Sequence, residues 1–178
     1  MTVIIDGTAG ITFPVTAGSA SAVQASSGRV LQVVQTQLTT VQTFSPGAGV
    51  FTNITGASAT ITPSSTSNKI LVTYSTFMTS SQNSAYWMQF LRMLRDGTAV
   101  AVGTQASYKA TGTANYSSNT QYGGPVVQTF LDSPATTSAV TYQLSGAGES
   151  GFAIGGSYSS GSTSPSVPTT IILMEIAA

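Results

Sequence analysis

The sequence predicts an all-β protein, an antiparallel β-sandwich preceded by a short N-terminal hairpin. Val, Ile, Thr, Tyr and Phe are abundant, and these β-branched and aromatic residues favour strands. Clusters of Gly, Ser, Pro and Asn interrupt them about every 8–12 residues, which is the spacing of turns in a sandwich or barrel. Two Asp-Gly dipeptides lie between apolar runs, where they predict tight hairpin turns.

The first predicted element is a hairpin within an N-terminal segment of residues 1–28. Asp6-Gly7 separates a predicted strand at residues 2–5 from another at residues 11–14, and a linker rich in Ala, Ser and Gly follows. A type I′ turn at Asp6-Gly7 needs positive φ at both central residues, which Asp and Gly tolerate. Because an isolated two-stranded hairpin is marginal in water, we expect this segment to dock on the rest of the chain or on another protein.

Residues 29–178 carry the other predicted strands and form the predicted head domain. The second Asp-Gly turn, Asp96-Gly97, joins two of these strands. In order, the predicted strands are residues 29–35, 39–44, 50–55, 58–62, 69–78, 86–94, 98–104, 125–131, 139–145, 152–154 and 169–175.

Residues 85–95 fit two structures. Four large apolar side chains recur there at helical spacing: Trp87, Phe90, Leu91 and Leu94. Alternate residues of the same segment also form the two faces of a strand, and the Asp96-Gly97 turn that follows favours the strand. The aromatic residues within predicted strands are expected in the core: Trp87, Phe90, Phe130 and Phe152.

Two long polar stretches, residues 104–121 and 155–166, contain almost no aliphatic residues and are predicted to be surface loops. Four tyrosines lie in or beside them: Tyr108, Tyr116, Tyr122 and Tyr158. Tyr among Ser, Gly and Asn is typical of recognition surfaces, because Tyr supplies rigid contact area and its small neighbours supply adaptable hydrogen bonds. These tyrosines are the candidate receptor-contact residues; the alternative is that they pin the loops to the edge of the sandwich.

The last predicted strand contains a continuous apolar run at residues 171–174. A strand that is apolar on both faces is buried on both faces. In a single-domain sandwich, we expect such a strand to lie between its own core and a neighbouring subunit. Ile171, Leu173 and Met174 are therefore the predicted subunit contacts.

The scarcity of charge excludes several function classes. Ten of the 178 residues are charged, five of each sign, whereas soluble domains are about a quarter charged. Zero net charge and scattered basic residues disfavour nucleic acid and anionic membranes as partners. The absence of Cys removes disulfides and zinc ribbons, and the scarcity of charge suits surfaces buried between subunits. We find no membrane-spanning stretch and no signal peptide in the sequence.

Catalytic residues are equally scarce, and the sequence predicts no enzyme, no cofactor and no metal site. The absence of His excludes a Ser-His-Asp triad, and a Ser-Lys pair would need Lys69 or Lys109. Lys69 is explained as the solvated start of a strand. The glycine-rich residues 146–151 lack a following helix and are predicted to form a hairpin turn. The five acids all fall in turns, in a loop or on the last strand: Asp6, Asp96, Asp132, Glu149 and Glu175.

Three sequence blocks resemble the tail-fibre and related virion proteins of bacteriophages. Residues 4–14, IIDGTAGITFP, resemble a short leader near the N-terminus of such proteins, and residues 27–35, SGRVLQVVQ, resemble the stretch that follows it. Residues 59–72, ATITPSSTSNKILV, resemble their ITPSSTSSKILV type of block. The blocks occur in the family's order, although residues 15–18, VTAG, replace the leader's usual continuation, Asp-Gly-Thr-Thr-Gln.

The head is similar in layout to trimeric jelly-roll heads of the C1q and tumour-necrosis-factor type. The resemblance implies a trimeric jelly-roll component of the virion surface, and without a signal peptide we expect it to be made in the host cytoplasm. We expect a tail-fibre or receptor-binding protein that contacts host surface glycans through its polar, tyrosine-bearing loops; the alternative is a capsid decoration protein or head fibre. Its virion partner would be a tail baseplate or adaptor protein, or the major capsid protein. The residues expected to attach it are Ile4, Ile5, Asp6, Gly7, Ile11 and Phe13.

Overall fold

The computed structural model describes residues 28–80, 87–104, 112–117, 123–158 and 166–178, together with the backbone of residues 4–6 and 10–12. For residue 87 and residues 115–117 it describes the backbone alone. Every regular element within these ranges is a β-strand, and the strands pair antiparallel. The predicted antiparallel β-sandwich is confirmed.

Thirteen strands are described, and they form two large sheets and a separate two-stranded one. In chain order they are β1 (Ile4–Asp6), β2 (Gly10–Thr12), β3 (Val30–Leu38), β4 (Gln42–Phe44), β5 (Thr52–Ile61), β6 (Lys69–Ser80), β7 (Trp87–Arg95), β8 (Thr98–Val100), β9 (Thr113–Ser117), β10 (Gly123–Asp132), β11 (Val140–Gly148), β12 (Phe152–Ile154) and β13 (Thr169–Ile176). The short sheet pairs β1 with β2.

The first large sheet is built around β6, the longest strand. Its order is β3-β13-β6-β12-β4. β13 and β12 pair with successive parts of one edge of β6, and β10 pairs with the opposite edge. Alternate residues of β6 are buried, among them Ile70, Val72 and Tyr74, while Leu71 and Thr73 between them are partly exposed. This alternation gives the sheet one face in the core and one face at the surface.

The second large sheet has the order β5-β11-β7-β8, with β9 also paired to β7. Its inner face brings Leu91, Met93, Tyr142 and Leu144 against the inner face of the first sheet in one hydrophobic core. The ambiguous segment at residues 85–95 is a strand from Trp87 onward, so the alternation was the correct prediction and the helical spacing was coincidental.

The Asp96-Gly97 turn is confirmed. Asp96 has a φ of 47° and Gly97 a φ of 85°, and Arg95 pairs with Thr98 across the two-residue connection. Residues 95–98 therefore form the hairpin that the dipeptide predicts, since both central residues occupy the left-handed region.

Of the aromatic residues predicted to be in the core, Phe90 and Phe152 are fully buried and Phe130 is partly buried. The Phe152 ring stacks on Phe44 with ring centroids 5.0 Å apart. The Trp87 side chain is not among the described atoms, so its position in the core stays a prediction.

Three local predictions about the head are wrong, besides strand bounds that differ by a few residues, as where β8 ends at Val100 and not at residue 104. Residues 50–55 and 58–62 were expected as two strands but belong to the single strand β5, which passes through Gly56 at a φ of 80°. The predicted loop at residues 104–121 contains β9, which pairs with β7. The predicted turn at residues 146–151 is instead part of a strand as far as Gly148. Within this strand, the absence of a Cβ at Gly146 leaves room for the Phe152 ring.

Candidate interaction surfaces

The segment expected to attach the protein contains the predicted pair of antiparallel strands, but the strands are paired in a register that does not place Asp6-Gly7 at the centre of a two-residue connection. β1 pairs with β2, with Ile5 opposite Ile11 and Asp6 opposite Gly10. Asp6 is therefore the last strand residue, and three residues, not two, connect the strands. Ile4, Ile5, Asp6 and Ile11 lie in the two strands, whereas Gly7 and Phe13 fall outside the described residues.

The segment joins the head at one end of the sandwich, called here the proximal end. It is defined by Gly28, Lys69, Asp132 and Ile176, where β3 and β6 begin and β10 and β13 end. The backbone N–H of Gly28 donates to the carbonyl oxygen of Ala177 over 2.7 Å, and that of Ala177 donates to Arg29 over 2.9 Å. These bonds fix where residues 1–27 meet the head.

The strand ends that border the Tyr122 segment lie at the opposite, distal end. This end is defined by Ser80, Trp87, Ser117 and Gly123: Trp87 pairs with Ser117, and Gly123 pairs with Thr79 beside the end of β6. The connections at residues 81–86 and 118–122 thus both start and finish at the distal end.

The four candidate receptor-contact tyrosines fall in different places. Tyr116 is in β9 opposite Met88, so the prediction that it lies in a loop is wrong. Tyr158 is half-buried, and its hydroxyl is 2.9 Å from Ser45 Oγ, a contact that ties its segment to the residues after β4. Tyr108 and Tyr122 fall outside the described residues.

The predicted subunit contacts divide between the two faces of β13. Ile171 and Leu173 are fully buried in the core of the chain itself, so their side chains are not available to a second copy. The prediction that these two residues contact another subunit is corrected for that reason. Met174 lies on the outer face and is partly exposed, and its contact with another subunit stays a prediction.

Most of the described charged groups lie at the proximal end: Arg29, Lys69, Arg95, Asp96, Asp132 and Glu175. Arg95 Nη1 donates to both carboxylate oxygens of Asp132 at 2.9 Å. The Tyr142 hydroxyl donates to Asp132 Oδ2 over 2.6 Å. Burial and then the neighbouring Asp132 raise the pKa of Tyr142, so this hydroxyl keeps its proton.

Glu175 is the one described acid with a fully buried side chain, at 1% exposure. Asn68 Nδ2 donates to its Oε1 over 2.6 Å, as do the backbone N–H of Ser64 over 2.6 Å and Ser64 Oγ over 2.7 Å. Gln32 Nε2 donates to Oε2 over 2.6 Å. The carboxylate therefore holds the loop between β5 and β6 against β13 and β3.

The hydrogen bonds decide the charge state of Glu175. Burial by itself raises the pKa of a carboxyl. The donors Asn68, Gln32 and Ser64 outweigh burial here and lower the pKa to about 2. Ser64 and Asn68 belong to the ITPSSTSNK block, so that block has a structural role in this chain.

The described polar groups offer no arrangement suited to nucleophilic catalysis. Lys69 Nζ is 2.6 Å from Ser133 Oγ, but the pair is exposed, and a lysine base needs a desolvated amine. Asp132 and Glu175 are occupied by the partners described above. Within the described residues, Asp and Glu do not gather in groups of three that could hold a metal ion.

No family model and no curated protein matches the sequence. Among the described residues, none belongs to a helix with the length and hydropathy needed to cross a membrane.

Proposed function

We propose that the protein is a non-enzymatic virion structural protein of the phage tail-fibre or receptor-binding type. In this proposal a homotrimeric head is displayed on the particle, residues 1–28 hold it to another virion protein, and the distal end faces the host. One observation carries the proposal: the N-terminal segment joins the head at the proximal end, and the strands that border the Tyr122 segment end at the distal end.

This separation suits a display protein because the two tasks do not compete for the same surface. Backbone bonds between Gly28, Arg29 and Ala177 anchor the segment to the strands that begin and end the head. A pull on residues 1–27 is therefore transmitted to β3 and β13, which pair along eight residue positions. The strand ends that border the distal connections lie at the opposite end of the sandwich from that attachment.

The strand order supports a jelly roll as the type of sandwich. One sheet contains the series β3-β13-β6-β10 and the other β5-β11-β7-β9. The first and last of these eight strands pair with each other, and the chain passes from sheet to sheet at most of its connections. Two four-stranded sheets joined in this way are what two Greek keys produce.

The charge distribution supports an uncharged receptor. Among the described residues, Glu149 is the charged side chain nearest the distal strand ends, and its Oε2 accepts from the backbone N–H of Met88 over 3.3 Å. A neutral surface has little attraction for nucleic acid or anionic lipid. Host surface glycans fit it better, with Tyr108, Tyr116, Tyr122 and Tyr158 as the proposed contacts.

Antibody labelling of intact particles in the electron microscope tests the location. We expect the label on the tail. Labelling confined to the capsid would reject the fibre proposal and support the capsid decoration protein or head fibre, the alternative implied by the sequence resemblance.

A second experiment tests attachment. Removing residues 1–27 keeps the Gly28–Ala177 bond, so we expect a folded head that no longer joins particles. The full-length variant Ile5→Asp, which alters one hairpin strand, is expected to lose incorporation as well. Incorporation of both variants at the wild-type level would contradict the role of residues 1–28.

A further inference from the structure

The outer face of the first sheet is a continuous surface formed by four strands. On β6 the outward residues alternate with the core residues, and the strand register extends this face to β10 on one side and to β13 and β3 on the other. The outward residues are Val30, Val33, Gln35 and Gln37; Thr170, Ile172, Met174 and Ile176; Lys69, Leu71, Thr73, Ser75 and Phe77; and Pro125, Val127, Thr129 and Leu131.

An unbroken apolar row crosses this face at right angles to the strands. Leu71 lies opposite Leu131 on β10 and opposite Met174 on β13. Met174 in turn lies opposite Val33 on β3. The row ends are open to solvent in the single chain, with Val33 56% and Leu131 55% exposed.

Apolar residues extend beyond the row along the strands. Ile176 lies next to it toward the proximal end, and Ile172 and Val127 lie toward the distal end, where Val127 is 56% exposed. The polar residues between them are neutral Thr, Ser and Gln. Among the described side chains of this face the charged one is Lys69, at its proximal edge, where it bonds to Ser133.

We propose that this face, the four-strand outer face, is the surface through which copies of the chain associate. Single soluble chains rarely leave so wide an apolar area in water. This interface would hold the proposed homotrimer together, and the inference takes the number of copies from the proposed function. It replaces Ile171 and Leu173, which are buried in the chain, with the outward residues of the same sheet.

The size and charge of the face favour a second copy as the occupant. Four strands about 4.8 Å apart and nine residues long at about 3.4 Å each give roughly 590 Å². Two such faces provide about 1,180 Å² before the added area of protruding side chains is counted, close to the lower limit of about 1,200 Å² for stable interfaces. The chain has zero net charge, so its copies carry no overall repulsion, and a face depleted of charge needs no oppositely charged partner.

Sedimentation equilibrium on the full chain tests the proposal. We expect the wild type to have a mass of several 18.1 kDa chains, and the double variant Val33→Glu with Leu131→Glu to have the mass of one. The matched control is Val50→Glu, because Val50 is 54% exposed and precedes β5 of the other sheet. The control is expected to keep the wild-type mass. A single-chain mass for the wild type, or an undiminished mass for the double variant, would overturn the proposal.

A labelling measurement covers the case in which the double variant does not fold. The chain has no cysteine, so Gln35→Cys places one reporter thiol on the face and Val50→Cys places one outside it. We expect a maleimide to label residue 35 more slowly than residue 50 in the native assembly and equally fast in denaturant. Equal labelling rates in the native protein would count against the face.

The outcomes separate this inference from the proposed function. If the wild type forms a dimer and the face variants dissociate it, the result supports the interface and contradicts the trimer. A face-dependent assembly that is absent from particles supports the interface and contradicts the virion role. A chain that is single in solution but present on particles contradicts the interface alone.

Discussion

The two faces of the last strand, β13, differ in what they contribute although their sequence is one apolar run. Ile171 and Leu173 point inward and are buried, while Ile172 and Met174 point outward and are partly exposed. The inner face joins the two sheets in the core. The outer face contributes to the surface that we propose for self-association. The difference shows that an apolar run need not be buried on both sides within one chain.

The inner face also contains the charge that is hardest to place. Glu175 follows Leu173 on the same face and is as deeply buried. A buried carboxylate is stable when hydrogen bonds replace its water, and the donors here come from β3 and from the loop before β6. The polar end of the inner face therefore stabilises the fold. We accordingly expect substitutions on the inner face to change the stability of the chain and substitutions on the outer face to change its self-association.

The largest expected effect compares Leu173→Asp with Met174→Asp. Leu173→Asp places an unpaired charge in the core and removes an apolar side chain, so we expect a loss of more than about 4 kcal/mol in the free energy of unfolding. Met174→Asp changes a partly exposed residue, and we expect the chain to stay folded while losing self-association. Circular dichroism melts and sedimentation measure the two effects. Equal melting temperatures for the two variants would contradict the proposed difference between the two faces of β13.

The second effect concerns Glu175. Its pKa is about 2 in the folded chain against 4.5 for the free group, so its contribution is complete above pH 4.5 and is lost as the pH falls through 2. The shift corresponds to about 3 kcal/mol. We expect Glu175→Gln to lose about that much stability at pH 7 and to flatten the decline between pH 4.5 and 2. Urea titrations at several pH values measure both.

Asp96→Asn is the matched control for Glu175→Gln. It removes a charge at the same end but keeps the oxygen that accepts from the Thr141 N–H, and Asn tolerates the positive φ of the turn. We expect a change within about 0.5 kcal/mol. If the control were as destabilised as Glu175→Gln, general charge balance and not the buried hydrogen bonds would explain the loss.

The sequence predicts the local features of the fold well. Asp96-Gly97 forms its turn because both residues accept positive φ, a property that needs no distant partner. Most strands were predicted from β-branched and aromatic runs. The exception is β9, TANYS, in which Ala and Asn separate the strand-favouring Thr and Tyr, and which forms by pairing with β7. Such pairing depends on contacts that local propensity does not contain.

The candidate surfaces were less predictable because they depend on register. The run at residues 171–174 is apolar throughout, so the sequence alone does not say which residues face the core. The row across the sheet arises because Leu71, Met174 and Val33 come into line from strands far apart in sequence. The donors of Glu175 likewise come from residues more than 100 positions away.

A third prediction compares two Thr–Thr contacts of β6 that lie on opposite faces. Thr76 Oγ1 and Thr169 Oγ1 are 2.6 Å apart and buried, whereas Thr73 Oγ1 and Thr129 Oγ1 are 3.0 Å apart and exposed. Val has the shape of Thr without its hydroxyl. We expect Thr76→Val to cost about 2 kcal/mol, because it leaves the Thr169 hydroxyl buried without that partner.

Thr73→Val is the counterpart on the outer face. Water can replace its hydrogen bond, so we expect a change within about 0.5 kcal/mol in the free energy of unfolding. It also widens the apolar row, and we expect association to tighten by roughly fourfold for each methyl group buried. Denaturant unfolding and sedimentation dilution series measure the two quantities. Equal losses of stability at positions 73 and 76 would show that the two faces are not different.

The smallest expected effect lies at the proximal end, on the inner face of β10. Asp132 is 13% exposed and its partner Arg95 is 30% exposed, so their ion pair is more hydrated than the Glu175 contacts. We expect Arg95→Met to cost about 1 kcal/mol at low salt and less at high salt, because screening weakens partly exposed pairs. Lys69→Met is the control, since the Lys69 ammonium bonds to the neutral hydroxyl of Ser133. As the ionic strength rises, the free energies of unfolding of the wild type and Arg95→Met should therefore converge. The difference in free energy of unfolding between the wild type and Lys69→Met should stay near zero throughout. A salt-independent loss in Arg95→Met would mean that the packing of its side chain, and not the charge of Asp132, accounts for its contribution.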